Sequence, residues 1–333
     1  MKQKISVIGD GAWGTTMAIS LALKGLDVRL HSVFDENNIV MSKSRRNDKF
    51  LSGAVFPENL SIEQALSDAL DADIIVFAVP VKFARSVLRK MNKTKKFKTT
   101  QTIVSLSKGI EISTQKTVSQ IISDELKNIT IAILSGPNIA REVLNGVPSV
   151  SVIACANKKR AQVLQEIFAT DMFRIYYTND VIGVEIAGAL KNVIAIACGV
   201  SDGLGFGVNT KSAIVTRGLV EILRLGKKLK ARPETFWGLS GLGDLTTTCF
   251  SPLSRNRTLG EKLGKGAKLK DLLSETSSIA EGIYTVKAAR KIAKKLGIEL
   301  PITEQIYKLL YSQKPARQAV ASLMGRPLKA ERI

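Results

Sequence analysis

Two lysines stand among small and apolar residues, an environment in which a lysine can exchange protons near neutral pH. Lys108 lies in TIVSLSKGIE, directly after a predicted strand, and Lys191 lies in VEIAGALKNVIAIACG, a predicted helix. Burial lowers the pKa of a lysine, which suits acid–base chemistry on a substrate oxygen. The alternative role for each is an ammonium group that extends along an apolar surface into solvent.

The other common proton donors of redox enzymes are missing from the sequence. The single histidine, His31, falls in the N-terminal half, and no tyrosine is followed by a lysine four positions later. The cysteines Cys155, Cys198 and Cys249 form no CxxC pair, which argues against a zinc site and a disulfide framework. A lysine is therefore the best candidate for a general acid, and no metal is expected.

Two later stretches are suited to binding an anion. GLSGLGDLTTTC carries one acid, Asp244, in a glycine-rich turn, and SPLSRNR places Ser254 and Asn256 on either side of Arg255. A guanidinium group binds two phosphate oxygens at once, and the neighbouring hydroxyl and amide groups add donors. SPLSRNR therefore predicts a site for a phosphate monoester, with the exposed start of a helix as its alternative role.

A glycine-rich turn near the N-terminus predicts a dinucleotide site. VIGDGAWGTTMAISLAL places Gly9, Gly11 and Gly14 between an apolar run and an amphipathic stretch. In this G-x-G-x-x-G pattern the first glycine permits the tight turn, the second admits the pyrophosphate, and the third lets helix and strand pack closely. The N-terminus of the helix then favours the bound anion. A glycine turn without a ligand is the weaker alternative.

The second strand leaves open which nicotinamide dinucleotide binds. NAD-specific enzymes usually place a carboxylate near the end of this strand, where it binds the ribose 2′-hydroxyl. Here the strand runs into His31, the nearest acid is Asp35, and Arg45 and Arg46 follow as candidate partners for a 2′-phosphate. These residues favour NADP(H), or the use of both NADP(H) and NAD(H). The alternative for the two arginines is an exposed loop.

Short β-branched runs alternate with amphipathic stretches over the first half of the chain. Strands are predicted at 4–8, 27–30, 74–79, 102–106, 130–134, 150–154 and 173–177. Helices are predicted to begin near Trp13, Ser61, Lys82, Ser113, Asn138 and Lys158. The second of these starts is supported by a capping box, Ser61-x-x-Gln64. This alternation predicts a Rossmann-like, doubly wound α/β fold with a parallel sheet covered on both faces.

After about residue 180 the pattern changes to helices alone. Helical spacing covers 184–199, 210–228, 278–296 and 303–311, and no convincing strand remains. A chain of 333 residues exceeds one typical core. We therefore predict two domains, a dinucleotide-binding domain at 1–182 and an all-helical substrate domain at 183–333.

Composition narrows the class of protein. The net charge of +20 is scattered over predicted helix ends and polar faces, and aromatic residues are only 5%, so nucleic-acid binding is not expected. No apolar run reaches the roughly 20 residues of a membrane span, and the N-terminus does not resemble a signal peptide. We expect a cytoplasmic protein, not embedded in a membrane, whose positive field attracts phosphorylated metabolites.

Together these motifs resemble the bacterial-type NAD(P)-dependent glycerol-3-phosphate dehydrogenase family. The resemblance covers nearly the whole chain and rests on segments in the family's order and spacing: GDGAWGTTMA, SLSKGIE, LSGPNIA, GVEIAGALKNVIAIACGVSDGLGFGVNTKSA, GLSGLGDLTTTC, SRNR, EGIYT and PITEQIY. It implies reversible reduction of dihydroxyacetone phosphate to sn-glycerol 3-phosphate by NADH or NADPH, which supplies the backbone of phospholipids. A Rossmann domain, a helical domain and a homodimer are also implied.

The resemblance assigns roles to single residues. Lys191 would be the proton donor and acceptor, and Lys108 would contact substrate and cofactor from the other side of a cleft. The other substrate contacts would be Gly136, Asn138, Asp244, Ser254, Arg255 and Asn256. Asp244 would also help to orient Lys191. The other cofactor contacts would be Gly9, Gly11, Ala12, Trp13, Gly14, Ala140, Arg255, Ile279 and Glu281. Glu281 has an alternative role, because Ser278-x-x-Glu281 also matches a capping box.

The chain departs from the family pattern at three positions. Val81 stands where serine is usual, Asn138 where serine or threonine is common, and Val33 where an arginine or histidine often meets the adenosine end. The last departure leaves cofactor preference open. The competing hypotheses are a 3-hydroxyacid or 6-phosphogluconate dehydrogenase, which pairs a similar turn with a helical-domain lysine, and a dinucleotide sensor without a reaction.

Overall fold

The structure is a computed structural model that describes residues 3–98, 100–275, 280–328 and 330–331. The chain forms two compact units. The first comprises Met1–Ser107 and Val118–Val181, and the second comprises Lys108–Thr117 and Ile182–Ile333. The domain boundary expected at residue 182 therefore misses one excursion of the chain, because the segment Lys108–Thr117 belongs to the second unit.

The described strands of the first unit form one eight-stranded sheet. They are β1 (Lys4–Ile8), β2 (Asp27–His31), β3 (Leu60–Ile62), β4 (Ile74–Phe77), β5 (Thr102–Ser105), β6 (Thr130–Ser135), β7 (Ser149–Cys155) and β8 (Phe173–Thr178). Their spatial order is β3-β2-β1-β4-β5-β6-β7-β8. The winding therefore reverses between β1 and β4, and in open α/β sheets the crevice at such a switch point is where ligands bind.

Side-chain alternation along the strands explains why helices cover both faces of this sheet. Val7 and Val76 are buried in one hydrophobic cluster, whereas their neighbours Ile8 and Phe77 are buried in another. The covering helices are α1 (Ala12–Leu23), α2 (Asp35–Ser44), α3 (Asp48–Leu51), α4 (Leu66–Ala69), α5 (Val81–Lys93), α6 (Val118–Glu125), α7 (Ala140–Leu144) and α8 (Lys158–Phe168). The doubly wound α/β prediction is confirmed.

Local details of the first unit differ from the prediction. Ser61 lies in edge strand β3, which pairs with β2, and the next helix begins only at Leu66. Pairing with a neighbouring strand here outweighs a local capping pattern. The helix predicted near Ser113 begins at Val118. Strand β7 runs antiparallel to β6, a reversal that an apolar run cannot reveal because it reads the same in both directions.

Helices are the regular elements of the second unit within its described residues, and an isolated bridge joins Ile110 and Thr117. Its helices are α9 (Val181–Gly203), α10 (Val208–Lys228), α11 (Pro233–Trp237), a π-helical turn (Leu239–Gly243), α12 (Asp244–Phe250), α13 (Arg255–Gly264), α14 (Leu269–Glu275), α15 (Glu281–Leu296), α16 (Pro301–Tyr311) and α17 (Ala316–Met324). The all-helical prediction is confirmed.

Helix α9 is the core of the second unit. Among the described residues it is the one helix whose length and hydropathy alone would permit a membrane span, contrary to the expectation that no such run exists. Every residue of its central part is buried, because the other helices of the unit pack around it. The apolar residues of α9 therefore form the core of the unit, and Lys191 places one ammonium group within that core.

Glycines let α13 approach the backbone of α9. A Cβ atom on Gly199 would lie 1.9 Å from the carbonyl oxygen of Arg257, and one on Gly260 would lie 2.1 Å from that of Ile196. No side chain fits at such distances, so the two helices meet backbone to backbone. This contact fixes the start of α13, which carries Arg255 and Asn256, against the helix that carries Lys191.

The excursion Lys108–Thr117 is held by contacts within the second unit. Ile110 is buried in the same hydrophobic cluster as α9 and pairs with Thr117. The carbonyl oxygen of Ile112 accepts a hydrogen bond from Lys291 Nζ on α15 at 3.3 Å. Lys108 therefore belongs to the second unit, and the expectation that Lys108 and Lys191 come from different domains is wrong.

Candidate active site

A buried carboxylate binds both candidate lysines. Asp244 Oδ1 accepts a hydrogen bond from Lys191 Nζ at 2.5 Å, and Asp244 Oδ2 accepts one from Lys108 Nζ at 2.8 Å. The side chain of Asp244 is 2% exposed and that of Lys191 is 8% exposed. Such a pair of ion pairs is stable in the interior only because the opposite charges are in direct contact. We call Lys108, Lys191 and Asp244 the lysine–aspartate cluster.

Thr248 completes the surroundings of the Lys191 ammonium group. Lys191 Nζ donates to Thr248 Oγ1 at 2.7 Å, and the hydroxyl of Thr248 donates to the carbonyl oxygen of Asp244 at 2.7 Å. Asp244 and Thr248 lie four residues apart on α12, so they present their side chains on one face of that helix. No role was predicted for Thr248 from the sequence motifs, although its spacing of four residues from Asp244 indicates a shared helix face.

The pKa values of Lys191 and Asp244 are both lowered in the cluster, but for different reasons. Burial lowers the pKa of Lys191, Asp244 opposes this and Lys108 adds to it, which leaves the pKa at about 8. Burial alone would raise the pKa of Asp244, but the two lysines together hold it below its ordinary value. Lys191 is therefore able to gain and lose a proton near neutral pH while Asp244 stays ionised.

Asn256 connects three helices of the second unit. Its amide donates from Nδ2 to Asn192 Oδ1 at 2.9 Å, and its Oδ1 accepts from the backbone N–H of Gly282 at 3.0 Å. Asn192 follows Lys191 on α9, and Gly282 lies in the first turn of α15. Asn256 is itself buried, so in this structure its amide positions the neighbouring elements.

Ser254 and Arg255 lie at the start of α13. The hydroxyl of Ser254 is the N-cap and accepts from the backbone N–H of Arg257 at 3.3 Å. Arg255 is exposed and interacts electrostatically with Glu281. Glu281 is the first residue of α15, with Ala280 as the N-cap, and is not the third residue that a capping box requires. Ile279 and Ser278 lie outside the described residues.

The glycine turn in the first unit, residues 9–14, follows β1 at the switch point of the sheet. Gly9 has a φ of +111°, and a Cβ atom there would lie 2.7 Å from the carbonyl oxygen of Ala78. A Cβ atom on Gly14 would lie 2.2 Å from the carbonyl oxygen of Gly9, whereas one on Gly11 would meet nothing within 4 Å. Gly9 and Gly14 thus permit close packing of the backbone, and Gly11 leaves open space at the N-terminus of α1.

This geometry fits the pyrophosphate of a dinucleotide. Ala12 is the first residue of α1 and the N-cap, Gly11, makes no side-chain hydrogen bond. Donors at such an uncapped helix N-terminus favour an anion. Trp13 packs edge-on against Phe173, with ring centroids 6.1 Å apart. The predicted residues Gly9, Gly11, Ala12, Trp13 and Gly14 therefore lie together in one turn.

The predicted residues after β6 lie at the carboxyl end of a strand parallel to β1, β4 and β5. Gly136 lies so close to Ser151 of β7 that a Cβ atom would be 2.8 Å from its Cα. Asn138 Nδ2 donates to Ser151 Oγ at 2.8 Å. Ala140 begins α7, and its carbonyl oxygen accepts from Thr16 of α1 at 3.2 Å, which connects this loop to the helix of the glycine turn.

Comparison with known proteins decides between the competing dehydrogenases. Profiles described as NAD-dependent glycerol-3-phosphate dehydrogenase N-terminus and C-terminus match residues 4–161 and 180–321. The glycerol-3-phosphate dehydrogenase [NAD(P)+] of Geobacter metallireducens is 46% identical over the full length of both chains. The chain belongs to the NAD-dependent glycerol-3-phosphate dehydrogenase family.

Solved structures of the family agree. The glycerol-3-phosphate dehydrogenase of Coxiella burnetii superposes with a TM-score of 0.94 at 34% identity, covering 98% of this chain and 99% of that one. The glycerol-3-phosphate dehydrogenase of Plasmodium falciparum gives a TM-score of 0.88 at 26% identity, covering 99% and 97%. The family resemblance inferred from the motifs is confirmed.

Arg45 does not have the role that the sequence predicted for it within this family. Its guanidinium donates to the carbonyl oxygens of Pro57 at 2.5 Å and Leu60 at 2.8 Å. Arg45 thereby holds the loop before β3 against the end of α2. Two carbonyl groups thus bind the terminal nitrogens of Arg45 within the protein itself, whereas Arg46, the other arginine predicted to bind a 2′-phosphate, is exposed.

Proposed function

We propose that this member of the family catalyses the reversible reduction of dihydroxyacetone phosphate to sn-glycerol 3-phosphate with NADH or NADPH. The observation that carries the proposal is the lysine–aspartate cluster. It places a lysine with a pKa of about 8 beside a second ammonium group on one ionised carboxylate. The product would supply the glycerol backbone of phospholipids.

The proposed chemistry assigns the proton to Lys191. A reduced dinucleotide, when bound, would supply hydride to the keto carbon, and Lys191 would donate a proton to the keto oxygen. In the reverse direction the neutral amine of Lys191 accepts the proton of the hydroxyl group. Lys108 and Lys191 both stabilise the negative charge that develops on this oxygen. Asp244 and Thr248 orient Lys191, and no step needs a metal.

The remaining predicted residues are proposed to bind rather than to react. Arg255 and Ser254 would bind the polar end of the substrate, and Asn256 would support them through its bridge to Asn192. Gly136 and Asn138 would border the substrate, and Asp244 would also accept from a substrate hydroxyl. Residues proposed for the cofactor are Gly9, Gly11, Ala12, Trp13, Gly14, Lys108, Ala140, Arg255, Ile279 and Glu281.

A spectrophotometric assay tests the reaction. We expect oxidation of NADH or NADPH to depend on dihydroxyacetone phosphate, with no turnover of 3-hydroxy acids or 6-phosphogluconate in the reverse direction. Arg255→Ala should raise the KM for dihydroxyacetone phosphate by about tenfold or more with a smaller change in kcat, since a bidentate phosphate contact is lost. Lys262→Ala, at the other end of α13, is the control. An unchanged KM in Arg255→Ala would contradict the assignment of the phosphate pocket.

The assembly and location are also proposals. We propose a cytoplasmic homodimer that acts on a small molecule and binds neither nucleic acid nor a membrane. The burial of α9 within its own unit supports the last point. Light scattering on the purified chain would measure the mass in solution. A monomeric mass would contradict the homodimer.

A further inference from the structure

The first turn of α2 lies against the glycine turn. The backbone N–H of Gly9 donates to the carbonyl oxygen of His31, the last residue of β2, at 2.9 Å. Asn37, in the first turn of α2, donates from Nδ2 to Asp10 Oδ2 at 2.8 Å, and Asp10 lies between Gly9 and Gly11. In folds of this kind the segment after β2 meets the adenosine ribose of the dinucleotide. Its charges therefore bear on the ribose 2′ position.

Contrary to the NADP(H) preference expected from Arg45 and Arg46, we infer that the first turn of α2 makes this chain prefer NADH over NADPH, with Asp35 as the residue that selects. This inference rests on the proposed binding of a dinucleotide at the glycine turn. Asp35 and Glu36 are the first two residues of α2, and both are exposed. Asp35 also lies about 20 residues past Gly14, where NAD-binding folds carry the acid that accepts from the 2′-hydroxyl.

The two carboxylates would oppose a 2′-phosphate. A phosphate monoester carries up to two negative charges, and its repulsion by nearby carboxylates is only partly screened at the protein surface. The N-terminus of α2 would otherwise attract an anion, but Asp35 and Glu36 already complement its dipole. A neutral 2′-hydroxyl meets no such repulsion and donates to a carboxylate.

Two of the neighbouring cations, Arg45 and Lys49, are bound by other groups of the protein, whereas Arg46 is exposed. Arg45 is bound to the carbonyl oxygens of Pro57 and Leu60. Lys49 donates from Nζ to Asn37 Oδ1 at 3.2 Å, and its ammonium group lies 5.6 Å and 5.4 Å from the ring centroids of Phe34 and Phe50. Asn37 in turn donates to the carboxylate of Asp10, so Lys49 and Asp10 both bind the amide side chain of Asn37.

The inference is tested by measuring how tightly NADH and NADPH bind when no reaction takes place. The nucleotide fluorescence of NADH and NADPH, titrated with the full chain in the absence of substrate, gives both dissociation constants. We expect NADH to bind about tenfold or more tightly than NADPH at low salt. Raising the ionic strength should narrow the ratio, because screening weakens the repulsion. NADPH binding as tightly as NADH would overturn the inference.

Variants identify the selecting residue. Asp35→Asn should tighten NADPH binding about three- to tenfold and leave NADH binding equal or weaker. Glu58→Gln, an exposed acid before β3, is the matched control and should change neither constant. Lys49→Met should change the two constants by similar factors. An unchanged NADH:NADPH ratio in Asp35→Asn, or a loss confined to NADPH in Lys49→Met, would overturn the assignment. Failure of both nucleotides to bind the unaltered chain would overturn the proposed function itself.

Discussion

The glycine turn of the first unit is built from backbone groups, whereas the lysine–aspartate cluster of the second unit is built from charged side chains. In the glycine turn, backbone groups form the site, and the missing Cβ atoms of Gly9 and Gly14 let strand, turn and helix touch. In the cluster, buried charged side chains form the site and hold one another by contacts of 2.5–2.8 Å. The first site should therefore be sensitive to added atoms, and the second to removed charge.

The largest effect should follow removal of charge at Lys191. Lys191→Met would remove the proposed proton donor and one of the two cations proposed to stabilise the alkoxide. We expect kcat to fall by about a thousandfold or more, with the dissociation constant of NADH nearly unchanged. Stopped-flow and nucleotide titration would measure the two quantities. Lys228→Met, at the exposed end of α10, is the control, and retention of most activity in Lys191→Met would move the acid role to Lys108.

The opposite test adds atoms to the glycine turn. Gly14→Ala places a Cβ atom 2.2 Å from the Gly9 carbonyl oxygen, so it should lower Tm by several degrees and weaken both nucleotides. Gly11→Ala meets no protein atom, so it should keep Tm and weaken the nucleotides about tenfold by filling the space proposed for the pyrophosphate. Equal Tm losses in the two variants would contradict the different roles given to these glycines.

The pH profile sharpens the comparison within the cluster. In the proposed mechanism reduction needs protonated Lys191, so the rate of reduction should fall as pH rises through about 8, and the rate of oxidation should rise over the same range. Asp244→Asn removes the group that raises the pKa of Lys191 and leaves Lys108, which lowers it. Both limbs should therefore move to lower pH, and kcat for reduction at neutral pH should fall about tenfold. Asp271→Asn, at an exposed position, is the control. If the pH dependence of the two rates were the same in Asp244→Asn as in the unaltered chain, it would not reflect the titration of Lys191.

The smallest effect on activity is expected at a second buried carboxylate of the same unit. Glu221 of α10 accepts from the backbone N–H groups of Ile302 and Thr303 and from the Thr303 hydroxyl, so it caps α16. No lysine contacts it in these hydrogen bonds, and burial raises its pKa from 4.5 to about 7 despite the opposing hydrogen bonds. This is the reverse of the shift at Asp244.

The raised pKa of Glu221 should make the stability of the second unit depend on pH. Between pH 4.5 and about 7 the folded state holds more protons at Glu221 than the unfolded state, so the free energy of unfolding should fall as pH rises through that range. Glu221→Gln should remove this contribution, so the change in the free energy of unfolding between pH 4.5 and about 7 should become smaller by up to about 3 kcal/mol. The variant should leave kcat unchanged. Urea unfolding monitored by Trp237 in a Trp13→Phe background would measure it, with the exposed Glu234→Gln as control. An unchanged slope would contradict the raised pKa.

Features determined locally were predictable from the sequence. The glycine turn between β1 and α1 follows from glycine spacing and the change from an apolar run to a helical pattern, and the structure reproduces it. The association of Lys191 with Asp244 followed from the family motifs. The role of Thr248 was overlooked, although the four-residue spacing on one helix indicates that it shares a face with Asp244.

Features determined by distant contacts were not predictable. Strand β3 depends on pairing with β2, and the direction of β7 depends on its neighbours in the sheet. Lys108 follows a strand of the first unit, yet Ile110 is buried in the core of the second and carries the lysine with it. Arg45 looked available to a ligand because nothing in the sequence shows that carbonyl groups of a later loop bind it.

The excursion of residues 108–117 also limits how this polypeptide can be divided. Cutting the chain at residue 182 would separate the helical half from Ile110, an apolar residue of its core, and from Lys108, one of the two lysines that bind Asp244. If the two halves were expressed separately, residues 108–117 of the N-terminal fragment would therefore have to pack into the C-terminal fragment before the two could complement each other. Grafting the ten residues onto the C-terminal fragment through a flexible tether is the more promising design.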